Sequence, residues 1–231
     1  MKIRQLVESY KKGIHLTNKK LVRLPDNLPD VISGDFYGHS NQLTSLKGSP
    51  SQVGGGFHCQ YNYLTSLEGC PSQVSDGFNC NNNYLTSLEG CPSQVGGNFN
   101  CNNNRLTSLE GCPSQIGGDF YCSSNKLTSL EGCPSQVGGN FWCHENKLTS
   151  LHNVHKRITK IGGIFVCRNN PIQSHILGLM MIDIGGEITT RLGNGTNVDE
   201  VLNKWKNQGR KGVLGCQRDL IAAGYKELAQ L

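Results

Sequence analysis

The chain has 231 residues, of which 36% are hydrophobic, and a formal net charge of +5. This length is sufficient for one sizeable domain, and no stretch has the length and apolarity of a membrane span or of a signal-peptide core. These features argue against a membrane protein, and we expect a cytoplasmic one.

The charge is distributed unevenly along the chain. Residues 1–42 carry seven Lys/Arg and four Asp/Glu, residues 43–151 carry four and seven, and residues 152–231 carry eleven and six. The mildly acidic central part disfavours a nucleic-acid groove there. The basic charges of the last part fit either a solvated helix surface or an anionic partner.

The chain begins with a predicted helix. Ile3, Leu6, Val7 and Tyr10 have the i, i+3, i+4 and i+7 spacing of one helix face, and Gly13 follows as a stop. We therefore predict that residues 1–13 form an N-terminal helical cap.

Residues 14–190 contain a repeat with a period of 21 residues. The period is clearest in a phenylalanine column and in a leucine column: Phe57, Phe78, Phe99, Phe120 and Phe141; Leu64, Leu85, Leu106, Leu127 and Leu148. About nine rungs can be recognised, at Ile14, Phe36, Phe57, Phe78, Phe99, Phe120, Phe141, Phe165 and Ile188. Such self-similarity predicts a solenoid, in which each unit buries its apolar face against the next.

The residues around each phenylalanine predict a short strand. In the segment NFNCNNN apolar and polar residues alternate, so Phe and Cys should point inward and their neighbours outward. Stacked rungs would then form one parallel sheet, with Val95, Leu106, Leu109 and their equivalents in the core. The EGCPSQ segment contains Gly and Pro, and it predicts an extended or turn-like convex side.

An asparagine follows each predicted strand. The column consists of Asn41, Asn62, Asn83, Asn104, Asn125, Asn146 and Asn170. Because it is uninterrupted, it predicts a buried ladder in which each side-chain amide bonds the backbone groups left open at the turn.

Asp76 interrupts a column of glycines before the strands, where other rungs have Gly34, Gly55, Gly97, Gly118, Gly139 and Gly163. Asp is among the few residues other than glycine that tolerate the left-handed region. We therefore predict a positive φ at this position.

Ten of the eleven cysteines fall in two columns of the repeat. One contains Cys59, Cys80, Cys101, Cys122, Cys143 and Cys167, and the other Cys70, Cys91, Cys112 and Cys133. No zinc-like paired spacing exists, so we interpret them as interior packing residues, with a disulfide ladder and a metal site as alternatives. The odd total fits a reducing compartment.

Residues 191–231 do not follow the repeat, and their apolar pattern predicts two helices. Val198, Val201, Leu202 and Trp205 form one apolar stripe with Thr196 or Asn197 as N-cap, and a second helix is expected over about 214–228. We interpret this segment as a C-terminal helical cap, with a small separate module as the alternative.

At this point the repeat carries a family resemblance. The run F-x-C-x-x-N-x-L-T-S-L resembles a leucine-rich repeat, and LTSLEGCPSQVGGNFNCNNN resembles leucine-rich repeat proteins of tailed bacteriophages and some bacteria. The resemblance implies a binding scaffold, acting in the host cytoplasm if the protein is phage-encoded. The repeats are also similar to those of secreted effector ligases, but the tail is short for a catalytic domain and Cys216 has no obvious His partner.

Three columns are predicted to face solvent. Their residue types vary between rungs, whereas those of the interior columns hardly vary. The outer column contains Tyr37, His58, Asn79, Asn100, Tyr121, Trp142 and Val166. The second column contains His39, Gln60, Asn81, Asn102, Ser123, His144 and Arg168, and the turn column contains Tyr63, Tyr84, Arg105, Lys126 and Lys147. Aromatic and Arg side chains anchor protein interfaces. The candidate protein-binding residues are Tyr37, His58, Tyr63, Tyr84, Asn100, Arg105, Tyr121, Trp142, His144 and Arg168.

No motif for catalysis or for cofactor binding is recognisable. Cys143, His152 and His155 could in principle bind a metal, but they lie around a loosened insertion, and Gly193-Asn194-Gly195 lacks the Lys of a phosphate loop. We expect neither a catalytic residue nor a resident metal or cofactor.

The favoured hypothesis is a non-enzymatic scaffold that binds an unidentified protein, such as a host defence factor. The alternative is a virion or assembly component, or a homo-oligomer; the sequence leaves the oligomeric state open. A third hypothesis is an enzyme or nucleic-acid module in residues 191–231, which only basic charge supports.

Overall fold

Two parallel sheets run along the repeat, and most rungs contribute one two-residue strand to each sheet. The computed structural model describes residues 13–192 and 198–231. The predicted N-terminal helix and the N-cap candidates Thr196 and Asn197 lie outside the described residues.

The first sheet has nine strands, β1, β3, β5, β7, β9, β11, β13, β15 and β17, each paired with the next in register. These are Ile14–His15, Phe36–Tyr37, Phe57–His58, Phe78–Asn79, Phe99–Asn100, Phe120–Tyr121, Phe141–Trp142, Phe165–Val166 and Ile188–Thr189. The register joins the phenylalanines directly, for example Phe99 to Phe120. The predicted parallel sheet is confirmed, and it has a strand at each of the nine predicted rung positions.

The second sheet has eight strands and forms the opposite wall. Its strands β2, β4, β6, β8, β10, β12, β14 and β16 are Val31–Ile32, Gln52–Val53, Gln73–Val74, Gln94–Val95, Gln115–Ile116, Gln136–Val137, Lys160–Ile161 and Asp183–Ile184. The sequence predicted an extended wall here but not its pairing into a sheet. In the five rungs from Leu46 to Gln136 the second-sheet strand begins six residues after the second leucine, so these segments come into register as soon as the first sheet does.

The core lies between the two sheets and consists of repeated columns. The phenylalanines from Phe36 to Phe165 are completely buried, and successive rings lie 4.6 to 5.8 Å apart between centroids. Leu106 and Leu109 are fully buried, and Val95 is 4% exposed. The predicted inward direction of these columns is therefore confirmed.

The asparagine column forms the predicted ladder. Asn104 is a representative member: its Oδ1 accepts a hydrogen bond from the Leu85 N–H at 3.0 Å, and its Nδ2 donates to the carbonyls of Cys80 and Cys101 at 3.1 Å. The same pattern recurs from Asn62 to Asn170. Each amide thus satisfies backbone groups of two neighbouring rungs at the point where the strand turns.

The prediction of a positive φ at Asp76 is wrong, because Asp76 and the glycines of its column are absent from the positive-φ residues of the described chain. The glycine pair has another cause. A Cβ on Gly118, in the column of Asp76, would collide with the Oδ1 of Asn98 and the backbone of Gly97 in the preceding rung, so the close stacking of the rungs favours glycine. The left-handed residues lie elsewhere, at Gly111 in the convex turn and at Asn103 before the ladder asparagine, and at their equivalents.

The cysteines are free thiols, and the first column is fully buried while the second is half-buried against the core. Burial raises the pKa of Cys91 and of Cys133 to about 12. These thiols therefore remain protonated at neutral pH and act as small apolar packing residues, as predicted.

Within residues 13–192 and 198–231, four helical segments interrupt or follow the sheets. They are α1 (Val154–Arg157), a 3-10 helix (Leu177–Met181), α2 (Asp199–Trp205) and α3 (Gly209–Ala222). The loosened insertion after Leu151 forms α1, and α3 begins five residues before the predicted position 214. The division of the chain into a solenoid and a C-terminal cap stays a prediction.

Side chains from α2 and the following turn close the last rung of both sheets. Asn203 exchanges two hydrogen bonds with the Ile188 backbone, both at 2.8 Å, and Asn207 does the same with Ile184 at 3.1 and 2.7 Å. The Asp199 carboxylate accepts from the Thr190 N–H at 2.8 Å. These side chains form hydrogen bonds with the backbone groups of the last strands that would otherwise pair with a further rung.

Replacement of Phe99 by alanine tests the core. Because the ring is completely buried, the cavity should lower the free energy of unfolding by about 3–5 kcal/mol. Urea unfolding followed by circular dichroism measures this, with Thr107→Ala, an exposed position, as a control expected to stay within about 0.5 kcal/mol. A loss below about 1 kcal/mol for Phe99→Ala would contradict the packing.

Replacement of Asn104 by alanine tests the ladder. It removes the acceptor of the buried Leu85 N–H and one of the two amide donors to each of the Cys80 and Cys101 carbonyls, and it should destabilise the fold by roughly 2–4 kcal/mol. The matched control is Asn103→Gly, since Asn103 is exposed and already has a φ of 53°, which glycine adopts freely. Equal unfolding free energies for both variants would rule out a structural role for the ladder amide.

Candidate functional site

The outward side of the nine-stranded sheet, together with the turns that follow its strands, is termed the strand face. Tyr37, His58, Asn100, Tyr121 and Trp142 are the second residues of their strands and are half-buried. His144 and Arg168 lie two residues farther along and are also half-buried, whereas Tyr63, Tyr84 and Arg105 are exposed in the turn column. The candidate residues therefore share one side of the solenoid.

Two aromatic stacks lie on the outer column. In the first, Tyr37 lies between His15 and His58, with centroid distances of 4.8 and 4.9 Å. In the second, Tyr121 and Trp142 are nearly parallel, at 6.2 Å and an interplanar angle of 9°. Parallel strands place these rings in register, so stacking follows from the fold.

Carboxylates immediately before these two strands orient the two tyrosines. Tyr37 donates its hydroxyl to Asp35 at 2.8 Å, and Tyr121 donates to Asp119 at 2.6 Å. Both pairs occur in an Asp-Phe-Tyr sequence, in which residues two apart point to the same face of a strand. The sequence reasoning missed these aspartates, although that shared tripeptide is a signal that identifies them.

A recess of about 470 Å³ separates the two stacks. Asn79 and Asn100 are the short side chains of the intervening strands, and His58, Asp76 and Tyr121 also line the recess. The Oδ1 atoms of Asn79 and Asn100 accept from backbone N–H groups two residues ahead. Their Nδ2 groups make no hydrogen bond within the described residues, so two amide donors are available in the recess.

The titratable groups of the strand face include histidine rings that are uncharged at neutral pH. Burial lowers the pKa of His58 and of His144, which therefore remain uncharged at neutral pH. The N–H of Gly56 and then the hydroxyl of Tyr37 lower the pKa of Asp35. The strand face thus combines neutral aromatic rings with a few fixed carboxylates.

Buried polar atoms without a partner in the protein concentrate on the strand face. In the described parts of the chain five such side-chain atoms occur, and four are in the outer and second columns: Gln60 Oε1, Asn81 Oδ1, Trp142 Nε1 and Arg168 Nε. By contrast, Trp205 donates its indole N–H to Asp219 at 2.8 Å. Each unpaired buried group costs about 1–3 kcal/mol, which is unfavourable for a surface with only a structural role.

Three expectations about solvent exposure are wrong. Val166 is 3% exposed and Ser123 1% exposed, and Trp142 is half-buried. Val166 is short and lies in register between Trp142 and Thr189, while the Ser123 hydroxyl bonds the Nδ1 of His144 at 2.8 Å. Stacking on Tyr121 covers one face of the Trp142 ring.

The residues considered for metal or acid–base chemistry do not converge. Among residues 13–192 and 198–231 no three His, Cys, Asp or Glu side chains lie together as a metal site. His152 packs edge-on against His175 at 4.8 Å rather than against Cys143, and burial raises the pKa of Cys216 to about 12. Gly193-Asn194-Gly195 lies outside the described residues.

In the part of the chain that the structure covers, no helix is long and apolar enough to cross a membrane.

Comparison with solved structures identifies the fold as that of leucine-rich repeat proteins. The leucine-rich repeat domain of a Shigella effector is 21% identical, with a TM-score of 0.59 over 81% of this chain and 85% of that domain. The leucine-rich effector YopM of Yersinia pestis is 19% identical (TM-score 0.55), and YopM of Yersinia enterocolitica is 20% identical (0.57). The match covers 83% and 84% of this chain but only 54% and 42% of those two proteins.

No protein-family model matches the sequence, and no curated protein matches it. The comparisons with solved structures therefore establish the architecture of the chain.

The titration of Tyr121 tests the geometry of the second stack. Burial, and then its hydrogen bond to Asp119, raise its pKa to about 12, against about 10 for a free tyrosine. The raised pKa favours the protonated hydroxyl in the folded state, so this group's contribution to stability is present below about pH 10 and is lost as the pH rises from about 10 to 12.

The phenolate absorbance of the wild type minus that of Tyr121→Phe isolates this group. We expect a midpoint near 12 in the folded protein, and a midpoint near 10 would contradict the half-buried, carboxylate-bound hydroxyl. Asp119→Asn provides the control, because it removes the charge and should lower the midpoint.

Proposed function

We propose that this chain is a non-enzymatic scaffold that binds a partner protein on the strand face. The observation that carries the proposal is the arrangement of the outer column, in which two aromatic stacks flank a recess with unpaired amide donors. Large aromatic anchors around a polar recess are typical of protein interfaces.

The distribution of variation supports the same proposal. The inward columns repeat Phe, Cys, Asn and Leu with few changes, whereas the outer column changes from Tyr to His, Asn and Trp between rungs. Packing accounts for the constant columns, since each residue contacts its own equivalent. Packing does not account for the particular aromatic rings and amides of the outer column. Contact with a binding partner would account for them.

The class of partner that we propose is a host protein. The sequence resembles phage-encoded leucine-rich repeat proteins, and two of the similar folds belong to proteins described as effectors. We extend that role to this chain and propose that it acts in a host cytoplasm by occupying a surface of a host protein, such as a defence factor. No chemical step is required for such an activity.

The test is affinity capture from host extract with the wild type and with a Tyr121→Ala/Trp142→Ala variant. If both rings are anchors, each should contribute about 2 kcal/mol or more to binding, so the double variant should lose its partner. Because the rings are only half-buried, the melting temperature should fall by less than about 4 °C.

The matched control is Gln94→Ala/Gln115→Ala, two exposed positions on the second sheet. It should capture the partner like the wild type, and unchanged capture by the Tyr121/Trp142 variant would refute the proposal. Light scattering adds a second outcome: a mass above the 25.2 kDa of one chain that the same variant abolishes would identify a second copy as the partner.

A further inference from the structure

The turn column occupies fixed positions along one edge of the strand face. Each of its residues donates its backbone N–H to a leucine carbonyl of the preceding rung, from Tyr63 to Leu43 at 2.9 Å through Lys147 to Leu127 at 2.9 Å. At about 4.8 Å per rung, the five residues span roughly 19 Å. An extended peptide of about six residues covers the same distance.

The first half of the column is an exposed aromatic surface. Tyr63 and Tyr84 are 48% and 40% exposed, and their rings are parallel at a centroid distance of 5.9 Å. Arg105 continues the stack, with its guanidinium carbon 4.4 Å from the centre of the Tyr84 ring. Tyr61, 55% exposed, lies beside the start of the column, and together these tyrosines border a shallow recess of about 420 Å³.

The second half of the column is basic. Arg105, Lys126 and Lys147 are exposed, occupy three consecutive rungs, and form no ion pair in the part of the chain that the structure describes. The acid nearest to Lys147 in sequence is Glu145, whose carboxylate accepts a hydrogen bond from the Ser124 hydroxyl at 2.8 Å. The column therefore changes from aromatic to cationic along the solenoid.

We propose that the turn column binds an extended acidic segment of the partner protein. This inference rests on the proposed function and deepens it. Apolar side chains of the segment lie against Tyr63 and Tyr84, and its carboxylates lie along Arg105, Lys126 and Lys147. Charge complementarity places the acidic end of the segment toward the later rungs.

Two observations favour a protein segment over a single-stranded nucleic acid. The faces of Tyr63 and Tyr84 already cover each other, so a base could stack between them only by separating the rings. The column also carries three cations, Arg105, Lys126 and Lys147, on three consecutive rungs. Three cations suit the few carboxylates of a short segment, whereas nucleic-acid binding commonly depends on more phosphate contacts along a continuous backbone.

The experiment is selection of a displayed random peptide library on the full chain, with peptides of about ten residues, enough to cover the column. We expect the selected peptides to contain apolar or aromatic residues followed by a block of Asp and Glu. The strongest of them is then labelled, and its affinity is measured by fluorescence anisotropy at increasing salt, which should weaken binding because the charges are exposed.

The decisive variant is Lys126→Glu/Lys147→Glu, for which the affinity of that peptide should fall at least about tenfold. The matched control is Lys47→Glu/Lys160→Glu, which makes the same change of charge at two exposed positions outside the column. Its affinity should stay within about twofold of the wild type.

The other outcomes are distinguishable. Selected peptides without an acidic block that still need Tyr121 and Trp142 would overturn this inference while leaving the proposed function intact. Selection of no peptide at all, together with failed capture from host extract, would overturn both. Tighter binding of a labelled oligothymidine than of the peptide, lost in the Lys126/Lys147 variant, would assign the column to nucleic acid and overturn the inference.

Discussion

The structure depends on hydrogen bonding between successive rungs. The buried asparagine ladder supplies those of the bonds that lie where each strand turns. Each amide offers one acceptor and two donors at the point where a strand of two residues ends and its backbone would be left unpaired. Short strands provide few ladder bonds of their own, so the side chain completes the pairing. Every other column takes its position from this register, including the columns that face solvent.

Because the register is fixed, a side chain on the strand face has predictable neighbours one rung above and below. The Tyr121 and Trp142 rings stack because their strands pair residue by residue, and the same reason places Arg105 over Tyr84. A recess forms where two consecutive rungs carry asparagine between rungs that carry larger rings. The shape of the strand face is thus determined by differences between adjacent repeats, on a backbone that does not change.

Much of this architecture follows from the sequence alone. The phenylalanine period defined the nine strands, and the uninterrupted asparagine column predicted the ladder, since both depend on contacts between equivalent residues. The second sheet was missed because a two-residue Gln-Val strand has no alternation to detect. The φ of Asp76 was misjudged because close contact with the preceding rung, and not a positive φ, favours the glycines of its column, a constraint that residue preferences do not reveal.

The strand face was only partly predictable for the same physical reason. Alternation tells which side chains point outward, but not how far their neighbours cover them, so Ser123 and Val166 are buried although they lie in outward columns. Polar atoms such as Trp142 Nε1 and Arg168 Nε are covered without being paired, which is the reverse of what folding alone favours. Since the interior already secures the register, the fold tolerates this cost on the strand face. A surface that is unfavourable for the isolated chain but held rigidly in place is suited to a partner that supplies the missing contacts.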